Sequence, residues 1–193
     1  MSDIVSTLFA SIEELMQKKE QVIVAIDGDC ASGKTTLAEL VAQTFDCNII
    51  QMDHFFLRPE QKTAVRLATV GGNIDHGRFV DEVLIPLKSG KHFSYQPFNC
   101  KTQAFGAPIF IEAKRLTVIE GSYSHHPAFS NYYDLKVVLS IPEDLQIERI
   151  LKRNGHIMLE NFKNIWIPME KKYATTFELE KNSDLFFTYL DYL

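Results

Sequence analysis

Long basic runs are missing from this 193-residue chain: Lys and Arg never stand more than two together, and the net charge is −5. A nucleic-acid backbone, which is held by many phosphate contacts, is therefore disfavoured as a partner. Cysteine is scarce too. Cys30, Cys47 and Cys100 show neither a Cys-x-x-Cys pair nor Cys/His ligand spacing, which fits free thiols in a reducing cytoplasm. The first 21 residues lack a continuous apolar core and carry Asp3, Glu13 and Glu14, so they read as neither a signal peptide nor a membrane span. Ile4, Val5, Leu8, Ile12, Leu15 and Met16 are instead spaced as the apolar stripe of a helix that packs on a sheet. No repeat, low-complexity tract or linker interrupts the chain, so residues 1–193 read as one cytoplasmic domain.

The most specific feature present is Gly28-Asp29-Cys30-Ala31-Ser32-Gly33-Lys34-Thr35, which spells G-x-x-x-x-G-K-[ST]. An apolar, β-branched stretch, Gln21 to Ile26, precedes it, and helically spaced Leu37, Leu40, Val41 and Phe45 follow. Strand, glycine-rich turn and helix together form a phosphate cradle. Backbone N–H groups of Gly28 to Thr36 face the phosphates, and the helix N-terminus adds its positive end. Lys34 reaches the β/γ-phosphates in such a loop and Thr35 ligates Mg²⁺. The chain is expected to bind ATP with Mg²⁺. The Asn-Lys-x-Asp segment with which a GTPase reads guanine is absent. Cys30, inside the loop, reads as a small filler residue, with an oxidation switch as the alternative.

Further strands are expected at Cys47–Gln51, Leu116–Ile119, Leu135–Ile141 and Leu185–Leu190. Helices are expected from Arg78 to Leu87, trimmed by Pro86, from Pro142 to about Lys152, and from Asn161 to Tyr173 with a break at Pro168. Phe93–Tyr95 and Lys101–Phe105 suggest a hairpin around Gln96–Cys100, and Leu57–Asp75 a long polar excursion. Alternating strands and helices imply an α/β fold with a parallel sheet covered on both faces and ligands at the strand carboxyl ends.

Asp53 follows the second strand and is the candidate base, since a loose phosphoryl-transfer transition state needs a positioned carboxylate at the acceptor hydroxyl. Glu120 ends the third core strand, where a carboxylate holds Mg²⁺ or its waters. Arg149 and Arg153 lie four apart on one helical face and suit a phosphate-neutralising lid. His125-His126-Pro127 reads as a polar turn rather than a metal site. Phe55, Phe56, Tyr95 and Phe98 are candidates for stacking on a substrate ring, with core or rim packing the default for aromatics.

Several of these segments resemble the uridine kinase/phosphoribulokinase branch of the P-loop kinases. The loop with its doubled threonine does so, as do Asp53-His54-Phe55-Phe56, Asn73 to Phe79, Tyr95-Gln96-Pro97-Phe98, Val118-Ile119-Glu120-Gly121 and Arg149 to Asn154. The resemblance runs in order from about residue 20 to 185. It implies a P-loop NTPase three-layer sandwich with a mainly parallel, five-stranded sheet, a substrate-side excursion over 57–110 and a lid region over 149–170. It also implies ATP-dependent phosphorylation of a small-molecule hydroxyl. Asp53 is then the base, Lys34 and Thr35 hold MgATP, Arg153 clamps phosphates, and Phe56, Arg58, Asp75, His76, Tyr95 and Phe98 face the acceptor. Two departures stand out: Gly155 to Lys163 supplies no arginine, and the hairpin carries Asn99, Cys100 and Lys101 where the family has histidine and arginine. The acceptor is expected to be a nucleoside such as uridine or cytidine. Alternatives are pantothenate, glycerate or a nucleoside monophosphate, and outside kinases a P-loop switch. No nucleic acid or membrane partner is expected, and a homo-oligomer stays open.

Overall fold

The computed structural model describes residues 3–188. Helix α1 (Asp3–Lys18) leads into β1 (Val22–Gly28), followed by α2 (Lys34–Thr44) and β2 (Cys47–Gln51). A 3₁₀ turn over Met52–Phe55 opens the excursion, which holds a second 3₁₀ turn at Pro59–Gln61 and the short helix α3 (Ala64–Ala68). Helix α4 (His76–Phe79), a π turn over Val80–Leu84 and α5 (Ile85–Lys88) then run on as one helical stretch.

The expected trim at Pro86 does not occur. Proline cannot donate to the carbonyl one helical turn back, but it stands just after a wide π turn, in which Ile85 N–H reaches back to Val80 O, and the helix runs on. The same device recurs at Pro168. There a π turn over Phe162–Trp166 leads into α7 (Ile167–Thr176), and the expected break is absent.

The hairpin expected around Gln96–Cys100 is replaced by two ladders. β3 (Phe93–Tyr95) pairs antiparallel with β6 (Ile109–Ile111), and β4 (Phe98–Asn99) pairs with β5 (Ala104–Phe105). The strand at 109–111 is too short to announce itself by periodicity.

β7 (Leu116–Glu120), β8 (Leu135–Ser140) and β9 (Leu185–Thr188) complete a five-stranded parallel sheet in the order β2-β7-β1-β8-β9. Tyr189 and Leu190, expected in the last strand, lie outside the described residues. Between β8 and β9 comes α6 (Glu143–Asn161), longer than expected. At Gly155 its backbone leaves the helix (φ 76°, ψ 172°), a conformation glycine adopts without a Cβ penalty.

Both sheet faces are covered because alternate residues of each strand are apolar. Val22, Val24, Ile26, Val118, Val137 and Leu139 face Leu8 and Ile12 of α1 and Leu37 and Val41 of α2. Ile23, Ile50, Ile119 and Val138 face Phe55, Phe79, Val83, Phe129 and Tyr173 on the other side. The register aligns the strand ends that matter. Gln51 and Ile26 both sit opposite Glu120, and Gly28 sits opposite Leu139, so the loop leaves the central strand at one common edge. Among the described residues no helix is long and apolar enough to cross a membrane.

Candidate active site

β1 must turn away from β8 at Gly28 while still paired with it, and only a residue without Cβ can do so. A Cβ there would lie 1.9 Å from the Leu139 carbonyl oxygen, and φ is +128°. Asp29 fastens the loop to the same strand. Its N–H donates to Leu139 O at 3.0 Å, and its carboxylate accepts from Ser140 Oγ and Ile141 N, both at 3.1 Å. Asp29 thus anchors the loop to β8 and the residue after it. Ala31 is held at φ +62°, an uncommon conformation for a residue with a Cβ and one typical of functional loops. Ser32 is buried, whereas Thr35 and Thr36 at the start of α2 are exposed.

The Lys34 ammonium donates to Gly28 O at 2.8 Å and Asp29 O at 2.7 Å, and lies 3.3 Å from Ser122 Oγ. The Thr35 hydroxyl donates to Glu120 Oε1 at 3.2 Å. Burial raises the Glu120 carboxyl above its ordinary value; Lys34 opposes the shift and Asp53 adds to it. Thr35, Glu120 and Asp53 therefore share one edge of the sheet, as the strand-end argument expects. Among the described residues no group of three or more His, Cys, Asp or Glu is placed to hold a metal alone. One hydroxyl and one carboxylate beside a phosphate loop suit Mg²⁺, which keeps waters and substrate phosphates as its remaining ligands.

Asp53 sits in the 3₁₀ turn after β2, exposed to solvent. The other substrate-side candidates are more constrained. Tyr95 and Phe98 are 3% and 4% exposed, so their rings belong to the core and are not open faces for stacking. The Tyr95 hydroxyl meets His54 Nδ1 at 3.0 Å, and Phe98 packs edge-on against Phe105. Phe56 bridges to Ile74 and is half-buried against the core. The Asp75 carboxylate accepts from Arg78 N at 3.2 Å and Gln61 Nε2 at 2.7 Å, which makes it a helix cap. The His76 ring stacks on His126 at 3.9 Å between centroids and its Nε2 lies 2.9 Å from Gly71 O. Arg58 pairs with Glu60 at 3.2 Å.

The two arginines expected in a lid diverge although they lie four apart on one helix. Arg149 donates to Ala31 O at 3.0 Å and so braces the loop backbone. Arg153 donates to its neighbour Asn154 at 2.8 Å, exposed on the last turn before the Gly155 break. His125 and His126 also part. His125 is buried, with Nε2 3.0 Å from Ala25 O, and among the described residues neither histidine belongs to a cluster placed to hold a metal. Burial pushes the Cys30 thiol far above its ordinary value, with Glu170 adding to the shift, which disfavours the reactive thiolate.

Three further residues matter. Asp27, 1% exposed, accepts from Gly28 N at 2.6 Å, Tyr123 N at 3.2 Å, His125 N at 2.8 Å and Tyr173 Oη at 2.8 Å. It ties β1, the turn after β7 and α7 together beneath the loop. Its signal was available as the lone acid in an otherwise apolar strand. Glu170 of α7 accepts from Cys30 N at 2.9 Å and from Ser122 Oγ at 2.8 Å. Neither Glu170 nor Ser122 carries a local signal, because their meeting depends on chain segments far apart in sequence.

No family model matches the chain. It is 23% identical over 171 residues to a uridine kinase of Anoxybacillus flavithermus, covering 81% of each chain. It is 29% identical over 181 residues to a dephospho-CoA kinase of Sulfurimonas denitrificans, covering 84% of this chain and 86% of that one. Among solved structures, a possible uridine kinase from Bacillus stearothermophilus superposes with a TM-score of 0.64 at 19% identity, over 94% of this chain and 99% of that one. These likenesses support a uridine kinase/phosphoribulokinase-like P-loop kinase. A candidate fructose transport system kinase from Silicibacter sp. TM1040 has the same fold, with a TM-score of 0.70 at 20% identity over 95% and 98% of the two chains. The five-stranded P-loop sandwich implied by the sequence resemblance is the fold observed, and small-molecule phosphotransfer is the chemistry these relatives share.

Proposed function

We propose that this P-loop kinase transfers the γ-phosphate of ATP to a hydroxyl of a small, uncharged acceptor, a nucleoside of the uridine or cytidine type. The observation that carries the reading is Asp53. Among the described residues its carboxylate has no hydrogen-bond or ion-pair partner, and it stands exposed at the edge where Lys34, Thr35 and Glu120 converge. A carboxylate so placed accepts the proton of an incoming hydroxyl as the O–P bond forms, a contribution of about 10²–10⁴-fold in rate. Lys34 leaves the loop carbonyls for the β- and γ-phosphates and offsets the charge that develops on them. Thr35 and Glu120 would hold Mg²⁺, which neutralises phosphate charge when bound.

The arginines favour an acceptor without phosphate over the nucleotide-like acceptor suggested by the dephospho-CoA kinase relative. Arg78 donates to Glu82, His54 O and Gln96 O and lies over the rings of Phe55 and Phe105. Arg66 donates to Ile74 O, and Arg58 is paired with Glu60. A phosphate-bearing acceptor would have to pull one of these guanidinium groups from its partners.

The test is an ADP-release screen with MgATP against uridine, cytidine, other nucleosides, pantothenate and sugar acids. Turnover is expected with a pyrimidine nucleoside, and Asp53→Asn is expected to cut kcat by about 10²-fold or more while ATP still binds. Activity confined to pantothenate or a sugar acid would move the acceptor class. Near-wild-type turnover in Asp53→Asn would remove Asp53 as the base.

A further inference from the structure

Glu170 lies more than a hundred residues beyond the loop in sequence, yet its carboxylate bonds directly to the loop backbone. Its Oε2 accepts the Cys30 N–H at 2.9 Å, and its Oε1 accepts the Ser122 hydroxyl at 2.8 Å. Ser122 Oγ lies 3.3 Å from both Gly28 O and the Lys34 ammonium. A hydroxyl has one proton, and the shorter contact takes it, so Ser122 donates to Glu170 and accepts from Lys34. The result is a chain of charge and hydrogen bond, Lys34⁺ to Ser122 to Glu170⁻, that ends on a helix continuous with the lid. α7 follows the Phe162–Trp166 π turn, which itself follows α6 beyond its Gly155 break.

We propose that Glu170 is a positioning residue of the phosphotransfer site: its carboxylate occupies the loop in place of phosphate charge and keeps Lys34 withdrawn, so that nucleotide entry breaks the contact and releases the lid helix. This rests on the nucleotide reading of the loop. Nucleotide phosphates place negative charge beside a carboxylate in a half-buried setting, where like charges repel more strongly than in water. Burial already raises the Glu170 carboxyl above its ordinary value, with Lys34 opposing, so the carboxylate depends on Lys34 as its counter-charge. When Lys34 turns to the phosphates, that support goes. Room for the carboxylate to withdraw exists: a cavity of about 480 Å³ opens beside the loop, lined by Asp29, Ser122, Glu170, Tyr173 and Phe186.

The reporter is built in. Trp166, the only tryptophan, is four residues before Glu170 and packs edge-on to Phe162 at 4.6 Å. Trp166 emission is titrated with MgADP in wild type, Glu170→Gln and Ser122→Ala, alongside thermal melts and steady-state kinetics. Glu170→Gln is expected to bind MgADP about tenfold more tightly, as for one unit charge removed from a partly screened site. Its free-state emission should move toward that of nucleotide-saturated wild type, and KM for ATP should fall. Ser122→Ala keeps the acid but cuts the chain to Lys34, and should move both readouts in the same direction by less. A purely structural role would lower the melting temperature without tightening nucleotide. Unchanged or weaker MgADP binding in both variants overturns the proposal. A wild type that binds no MgADP overturns the nucleotide reading itself.

Discussion

Replacing Asp27 with asparagine tests how the site is held to the fold. Its two oxygens accept four donors: Oδ1 takes Gly28 N at 2.6 Å and Tyr123 N at 3.2 Å, and Oδ2 takes His125 N and Tyr173 Oη, both at 2.8 Å. An amide keeps one oxygen. If its NH₂ took the Oδ1 place, two backbone N–H groups that cannot accept would face it. The better orientation puts NH₂ at Oδ2, where the Tyr173 hydroxyl can turn and accept but His125 N–H is orphaned. One buried unsatisfied N–H costs about 1–3 kcal/mol, and the remaining bonds weaken from charged to neutral acceptor. Relief from burying a charge offsets part of this. The expected loss is about 3 kcal/mol. With a urea m-value of about 2 kcal/mol/M, the midpoint should fall by about 1.5 M. Tyr173→Phe removes one donor and leaves the carboxylate three, so it should cost about 1 kcal/mol. A midpoint for Asp27→Asn within about 0.3 M of wild type would refute this account, as would a larger loss in Tyr173→Phe.

Gly28→Ala places a methyl 1.9 Å from the Leu139 carbonyl oxygen at φ +128°, so β8 has to shift. MgADP binding followed by calorimetry should be lost, with the melting temperature down by several degrees, or about 2 kcal/mol or more. His125 is buried and its pKa is depressed below the ordinary 6.5, first by burial. The unfolded chain therefore takes up a proton the fold refuses, and stability falls as pH drops below about 6.5, by up to about 1.4 kcal/mol per pH unit from this one group. His54, His76 and His126 are lowered in the same sense, so their slopes add in sign. Urea midpoints from pH 7 to pH 5 should decline, and His125→Gln should flatten the decline. An unchanged slope in that variant would show that other groups set it.

Much of the sheet was legible because its rules are local. Cys47–Gln51 was placed to the residue and β1, β7 and β8 to within two, since buried parallel strands write themselves as apolar runs ended by polar residues. The loop was legible for the same reason: glycine, lysine and threonine at fixed spacing depend only on near neighbours. The minor ladders were not. Phe93–Tyr95 chose Ile109–Ile111 across a gap that no period marks. The prolines misled because a π turn, invisible in composition, made room for both Pro86 and Pro168. Tyr95 and Phe98 read as core residues by default and as stacking candidates second, and burial decided for the core.

By itself, then, the sequence determined the phosphate loop, the parallel sheet and the edge to which Lys34, Asp53 and Glu120 come, because each follows from residues close together in the chain and from the fixed geometry of strands. Tertiary structure alone decided which acids serve the loop. Asp27 meets Tyr173, and Glu170 meets Cys30 and Ser122, across the breadth of the chain. It also decided that Arg149 braces the loop while Arg153, four residues on, turns to solvent. Such pairings depend on how helices dock on the sheet, and helical spacing fixes only the face a residue occupies, not what waits opposite it.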